Sequence, residues 1–561
     1  MTFSTPSSFA ELFPLEMHQP LLHYLNLPPA GCIADNQGIF DPEDERIFEI
    51  AGDDRQRILQ ERTRVGGTFT KINDLEKIHA TNTQVLPGIV HRLQNINRYG
   101  NRVQPVWGGR ESRNAYFQLL QNAEKYIHIA TYILGGETGL AIIRLLREKM
   151  RQGVEVRLLF CASGMVLSGS PSGTGFVSHF SGFRSFLIND MYARKRLLRE
   201  LRITGVPYRD SSPIGCHWRR LDMQELGIRT ERHYYSWAQK CNIPEEWLEE
   251  QHVIDSRSRI GFVNVDHRKM TIVDGDKAFI GSQNLSDSYL YDNELSDNAA
   301  VNRRNWQWHD GSCIFEGGGV HQLSDLFARR WWLSGGDQFD YTSSFYKPKA
   351  VRKGNACVTA IATVPGTVSA PLGKNLPGFL LTTVGGRRNL HLEGFNPVRE
   401  WLKILPRLAQ RDLLVEHCYP SDTELLHCWA RAAQELQRFQ MIVPKHYDVV
   451  FLGRECDSNF PSLIAAGAEL HAYRQAIMHS KLVVIDNFYS VTGSYNINIR
   501  SSRADMECTF FIQCPELGRE FAARFNEDLK QCDRLIPGRM ARFRSRFSIP
   551  LIDAVLRYFF F

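Results

Sequence analysis

The sequence has no run of about 18 uncharged apolar residues, the length that a membrane-spanning helix needs, so none is expected. Its 12 cysteines are scattered, without a Cys-x-x-Cys pair or the regular framework that staples small secreted domains. They read as mostly reduced, buried thiols of a cytoplasmic protein. Neither sign of charge dominates: 67 Lys+Arg against 61 Asp+Glu leave +6 over 561 residues. That is too little for a dedicated nucleic-acid binder, so a nucleic-acid partner is not expected, although an anionic substrate is permitted. No His, Cys or carboxylate cluster has zinc spacing, and neither metal nor cofactor is expected. The Gly/Ser-rich stretch Gly169 to Gly175 lacks the Gly-Lys-Ser/Thr that would make it a phosphate-cradling loop, and reads as a surface loop. Leu27 to Cys32 faintly resembles a lipoprotein cleavage site. However, no basic segment precedes it and His23, Asn26 and two prolines break any apolar stretch, so it is not read as a leader.

What remains is an ordinary globular balance, 43% hydrophobic and 23% charged, on a chain long enough for two to four domains at roughly 150 residues each. Its most informative feature is internal repetition. His267-Arg-Lys269-Met-Thr-Ile-Val-Asp274 and His479-Ser-Lys481-Leu-Val-Val-Ile-Asp486 both read His-x-Lys-x4-Asp. Gly281-Ser282-x-Asn284 and Gly493-Ser494-x-Asn496 then follow at the same distance. The repeat implies two related halves, at about 96–345 and 355–535.

Local chemistry places the motifs on β-hairpins. Met270–Val273 and Leu482–Ile485 are apolar and rich in β-branched residues, and each closes on a turn dipeptide, Asp274-Gly275 or Asp486-Asn487. A period of two puts His267 with Lys269, and His479 with Lys481, on one face of each strand. Asp274 and Asp486 sit at the turns and are expected to brace them rather than meet substrate. Ahead of each hairpin, helix, strand, helix and strand are predicted at 111–123, 127–134, 138–152 and 154–160. In the second half the same order falls at 398–409, 413–419, 423–437 and 440–444. That half continues through 448–452, 460–466 and 469–473. Alternation of this kind indicates α/β sandwiches. The first half carries an apparent insertion at about 165–262, a candidate cap that excludes water, and residues 1–95 match neither half.

Paired imidazoles and ammonium groups supply what phosphodiester chemistry needs without metal. One imidazole can attack phosphorus, a second can protonate the leaving alcohol, and Lys269 and Lys481 can neutralise the non-bridging oxygens. Asn284 and Asn496 add amide donors, and Ser282 and Ser494 add hydroxyls.

The doubled pattern His267 to Asn284 and His479 to Asn496 resembles the phospholipase D superfamily. Asn496-x-Asn498-x-Arg500-Ser501…Glu507 brings it nearest to bacterial cardiolipin synthases. The resemblance covers about 98–561 outside the insertion. It implies one active site shared by two phospholipase D-like halves on a pseudo-twofold axis. It further implies a phosphatidyltransferase or phospholipase D that uses a phosphohistidine intermediate, with His267 as nucleophile and His479 as acid/base. A carboxylate should orient each imidazole: Glu507 matches by position, and Asp310 is the weaker counterpart. A phospholipid substrate and an alcohol acceptor follow. A hydrolase that releases phosphatidic acid, or a nuclease of the same superfamily, is the alternative.

At the C-terminus Arg539, Arg542, Arg544 and Arg546 precede Phe547 and an aliphatic stretch that ends in Phe559, Phe560 and Phe561. Cations followed by apolar rings suit an interfacial helix at 536–561 on an anionic phospholipid surface. Peripheral attachment to the inner membrane surface is the expectation. A helix docked on the protein's own core is the alternative.

Overall fold

The computed structural model describes residues 9, 21–22, 52–66, 69, 71–87, 100–161, 195–211, 231–244, 248, 265–291, 307–347, 353–363, 397–447, 450–503 and 505–536. The C-terminal anchor, Gly169 to Gly175 and Leu27 to Cys32 lie outside the described residues.

Strands β1 (Arg102–Trp107), β2 (Tyr126–Thr131), β3 (Glu155–Phe160), β4 (Tyr208–Asp210), β5 (Met270–Val273) and β6 (Lys277–Gly281) belong to a first sheet. The short β7 (Trp308–His309) stands outside it, and β8 (Gly311–Glu316) completes it in the order β1-β8-β6-β5-β2-β3-β4. A second sheet takes β9 (Cys357–Ala362), β10 (Asp412–His417), β11 (Arg438–Pro444) and β12 (Glu469–Tyr473). After the short β13 (Ile477–Met478) it adds β14 (Lys481–Ile485), β15 (Tyr489–Gly493), β16 (Cys508–Gln513) and β17 (Cys532–Arg534). Its order, β9-β16-β15-β14-β10-β11-β12 with β17 at the edge, repeats the first position by position. The motif repeat in the sequence is therefore a repeat of topology.

Two helices lie between the sheets. His321–Leu333 touches β5 of its own sheet and β9 of the other, and Pro515–Leu529 touches β14 and β10 of its own and β1 of the other. One apolar core runs through this layer, from Met270, Ile272 and Phe327 to Leu482, Val484 and Phe521. Burying side chains of this size contributes roughly 1.5–3 kcal/mol each, which fixes the halves against one another. The outer helices Gly108–Gln121 and Gly136–Arg151 close the first half, and Pro397–Leu408, Thr423–Ala433 and Val450–Ala465 close the second.

Three findings revise the sequence reading. The apparent insertion at 165–262 contains a helix over 195–204 and strand β4, which occupy the places of helix Val450–Ala465 and β12 in the second half. Part of that stretch is thus the sheet's own edge, and β4 is too short to show a period. Segments 448–452 and 460–466 fall largely within one helix, Val450–Ala465, which continues through Pro461. Finally, Leu21, Ile58, Phe69, Leu75 and Leu86 join the outer core of the second half, so the described residues before 95 pack on that half.

Candidate active site

Each motif is built the same way. The hairpin turns place Asp274 and Asp486 at φ of 54° and 53°. The Asp274 carboxylate accepts from the backbone N–H groups of Glu124, Lys125 and Tyr126 at 2.7–3.0 Å. Asp486 does the same for Gln410, Arg411 and Asp412 at 2.7–2.8 Å. Both aspartates therefore tie a hairpin to the start of the neighbouring strand. Gly281 and Gly493 close the second strands at φ of 143° and 154°. A Cβ there would stand 2.7 Å from Ser312 Cα or 2.4 Å from Cys508 O. Only glycine lets the serine that follows approach the next strand.

The halves then cross. His267 N–H donates to Met506 O at 2.9 Å, and His479 N–H donates to His309 O at 2.7 Å. The second contact continues the parallel pairing of β7 with β13, and the first continues the parallel bridge Asp266–Met506. These two short pairings deliver a carboxylate from one half to the imidazole of the other. His267 Nδ1 lies 3.0 Å from both oxygens of Glu507, and His479 Nδ1 lies 2.6 Å from Asp310 Oδ2. A carboxylate only accepts, so Nδ1 carries the proton and Nε2 keeps the lone pair.

The serines act on the carboxylates. Ser282 Oγ donates to Asp310, while Ser494 Oγ and Ser501 Oγ each donate to Glu507 at 2.5 Å. Ser282 and Ser494, expected to add hydroxyls to the site, direct them to the carboxylates. Their position directly after the close-packed glycine aims them at the carboxylate behind the imidazole. Asp310, the weaker counterpart by sequence, is fully buried and engages His479 as closely as Glu507 engages His267. Thr363, whose Oγ1 accepts from Glu507 N–H at 2.9 Å, was not legible as a site residue. Ser501 was quoted in the motif but had no assigned role.

The lysines fold back on their own motifs. Lys269 Nζ donates to His267 O at 2.7 Å and Lys481 Nζ to His479 O at 2.9 Å. Lys481 Nζ is also 3.3 Å from each ring nitrogen of His479. Asn284 Oδ1 accepts from Ile133 N–H at 3.2 Å and Asn496 Oδ1 from Cys418 Sγ at 3.0 Å, which leaves the amide nitrogens as the donor ends. The walls differ: Tyr132 meets His267 edge-on, whereas Trp308, Tyr289 and Tyr419 surround His479.

Burial governs the electrostatics. Both imidazoles are held well below the usual range, first by desolvation and then by Lys269 for His267 and by Lys481 for His479. Desolvation pushes Lys269 down to about 7, with Lys481 adding to the shift against the pull of Glu507. It pushes Asp310 up to about 6 against the charge of Lys481, and Glu507 up to about 7 against that of Lys269. The arrangement offers two neutral imidazoles, each with its lone pair on Nε2 and that of His479 facing Lys481 Nζ at 3.3 Å, among cations and amide donors.

Among the described residues one group could hold a metal ion: His309, Glu416 and Asp528, with ligand atoms within 4.8 Å of one another. It lies behind Asp310, outside the catalytic set. Arg524 already donates to both oxygens of Asp528 at 3.2 Å, which supplies the cation. No helix of the described residues is long and apolar enough to cross a membrane. The cysteines among them, including Cys161, Cys313 and Cys508, are free thiols.

Two topologically equivalent α/β halves that exchange carboxylates across paired His-Lys motifs define a duplicated phosphodiester-transfer domain. The family described as "Cardiolipin synthase, PLD-like domain" matches residues 116–305 and 406–529, more than half of the chain, and the chain belongs to it. It is 23% identical over 429 residues to the cardiolipin synthase of Geobacillus kaustophilus, spanning 76% of this chain and 66% of that protein. It is 22% identical over 445 residues to a probable cardiolipin synthase of Bacillus subtilis, spanning 79% and 69%. The chain thus spans about two thirds of the relatives' length. Among solved structures it is similar to a phosphatidylserine synthase of Haemophilus influenzae, with a TM-score of 0.48, 14% identity, and coverage of 81% and 94%.

Proposed function

We propose that the protein is a phosphatidyltransferase that joins two phosphatidylglycerol molecules into cardiolipin and releases glycerol. The observation that carries this reading is the crossed pair of buried imidazoles, each with its carboxylate, in a chain of the cardiolipin synthase family. His267 Nε2 attacks the phosphorus of a donor phosphatidylglycerol. The phosphorus–oxygen bond to the glycerol headgroup breaks, and His479, which takes up a proton at Nε2 as the anionic phosphodiester binds beside it, gives that oxygen this proton. Lys269, Lys481 and the amides of Asn284 and Asn496 take up the charge that grows on the non-bridging oxygens. In the second step His479 removes the proton from the hydroxyl of a second phosphatidylglycerol. Its oxygen attacks the phosphohistidine, and His267 is released.

Atoms and protons balance without a further reactant. The aromatic wall of Tyr289, Trp308 and Tyr419 suits exclusion of water from the step that would otherwise yield phosphatidic acid. Mass spectrometry of the lipids made from phosphatidylglycerol vesicles by the purified protein is the test. Cardiolipin and glycerol in equal amounts, lost in His267→Ala, are expected. Phosphatidic acid as the only product, even with excess alcohol acceptor, would make the enzyme a hydrolase.

A further inference from the structure

Asp310 reaches His479 from β7, a strand of two residues outside either main sheet, and its chain neighbour His309 is held entirely by the opposite half. His309 Nε2 lies 3.0 Å from Asp528 Oδ2, on the helix Pro515–Leu529. Its Nδ1 lies 3.3 Å from Tyr473 Oη, and its ring stacks on that of Tyr473 with centroids 4.6 Å apart and planes at 28°. Its backbone oxygen accepts the N–H of His479 at 2.7 Å. Arg524 in turn holds Asp528, and Glu416 lies beside the pair, fully buried. One residue thus grips the second half by its ring and the acid/base histidine by its backbone, while it carries the orienting carboxylate next in the chain.

The equivalent position in the other crossing is Met506, whose backbone oxygen takes His267 N–H at 2.9 Å. An uncharged thioether stands there, and Glu507 is fixed instead by Ser494, Ser501 and Thr363. Asp310 has Ser282 and the Gly311 N–H for that purpose, both from its own half. The site is chemically asymmetric: both carboxylates are held by neighbouring donors, and Asp310 alone has in addition a polar pin one residue away.

We propose that His309 is a positioning residue, pinned by Asp528 and Tyr473, that sets Asp310 against His479 and so fixes the tautomer of that imidazole alone. The consequence for turnover rests on the transferase reading above, whereas the effect on the His479 ring does not. Two variants separate the pin from mere packing. His309→Ala removes the ring contacts, and His309→Gln keeps an amide that can donate to Asp528. Both are followed by nitrogen-15 NMR of the histidine rings, with the His479 signal assigned by its absence in His479→Gln, and by pH–rate profiles.

In the unmodified protein His479 is expected to stay neutral and protonated at Nδ1 above about pH 6, where Asp310 is ionised. In His309→Ala it should lose the fixed tautomer and begin to titrate in that range, with His267 unchanged. Turnover should fall about 10–100-fold, the usual scale for partners behind a catalytic group, with KM within about twofold. His309→Gln should recover most of both effects, and Met506→Ala should leave His479 as it was. An unchanged His479 signal in His309→Ala, or the same change in Met506→Ala, overturns the proposal. A protein that shows the NMR effect but makes no cardiolipin overturns the transferase reading and leaves the pin standing.

Discussion

Lys269 and Asp310 titrate near neutrality because burial penalises their charged forms, and this gives the free enzyme a narrow working range. Asp310 sits at about 6, so as pH falls through that value it becomes protonated and no longer accepts from His479. Lys269 sits at about 7, so as pH rises through that value it loses the charge meant for the phosphate. Glu507, at about 7, likewise stops accepting from His267 as pH falls through that value, so the pH profile of kcat/KM is expected to be a narrow peak near 7. Lys269→Arg, which stays protonated, should remove the alkaline limb, and a limb unmoved by that change would assign it to another group. In kcat the alkaline limb should lie higher, because a bound phosphate favours the ammonium. At this scale the sequence showed the two His-Lys-Asn sets because the motif repeats in register. Asp310 was harder to read because Trp308-His309-Asp310 has no twin of the same spacing, and His309 because its partners Tyr473 and Asp528 lie more than 160 residues away.

At the scale of the hairpin, Asp274 and Asp486 belong to the motif by sequence but to the scaffold by contact. Asp274→Ala removes the acceptor of three partly exposed backbone N–H groups and should cost about 1–3 kcal/mol, read as a lower urea midpoint. The folded fraction should keep most of its turnover. Turnover slowed about a thousandfold in protein that melts normally would instead place the carboxylate in the chemistry. The principal helices ahead of each hairpin were legible because their apolar positions keep one period over ten or more residues, and the strands because they are short, largely apolar runs between those helices. The edge strand β4 was not, since three residues carry no period and only its neighbour β3 reveals it.

At the scale of the molecule, duplication was visible in the sequence but its crossing was not. Nothing in either motif says that Glu507 serves His267 while Asp310 serves His479; two short parallel pairings decide it. The packing of the 52–87 region on the second half was equally hidden, because its partners are dispersed over the helices Pro397–Leu408 to Val450–Ala465. The basic and aromatic C-terminus is expected to deliver the enzyme to anionic bilayers, at about 1 kcal/mol per arginine near the surface. Deleting residues 547–561 should weaken liposome binding and turnover of bilayer substrate while sparing a short-chain, water-soluble phosphodiester. An insoluble truncation would favour docking on the core, and undiminished liposome binding would remove the anchor.

The central claim is covalent transfer through one site to which each half contributes an imidazole and the other half its carboxylate. The most direct measurement is mass mapping of the peptide adduct formed when His479→Ala, which lacks the base for the second step, is mixed with phosphatidylglycerol and quenched. A phosphatidyl group on His267 is the predicted result. An adduct confined to His479 in the unmodified enzyme would reverse the roles, and no adduct on either histidine would contradict the account in favour of a single displacement.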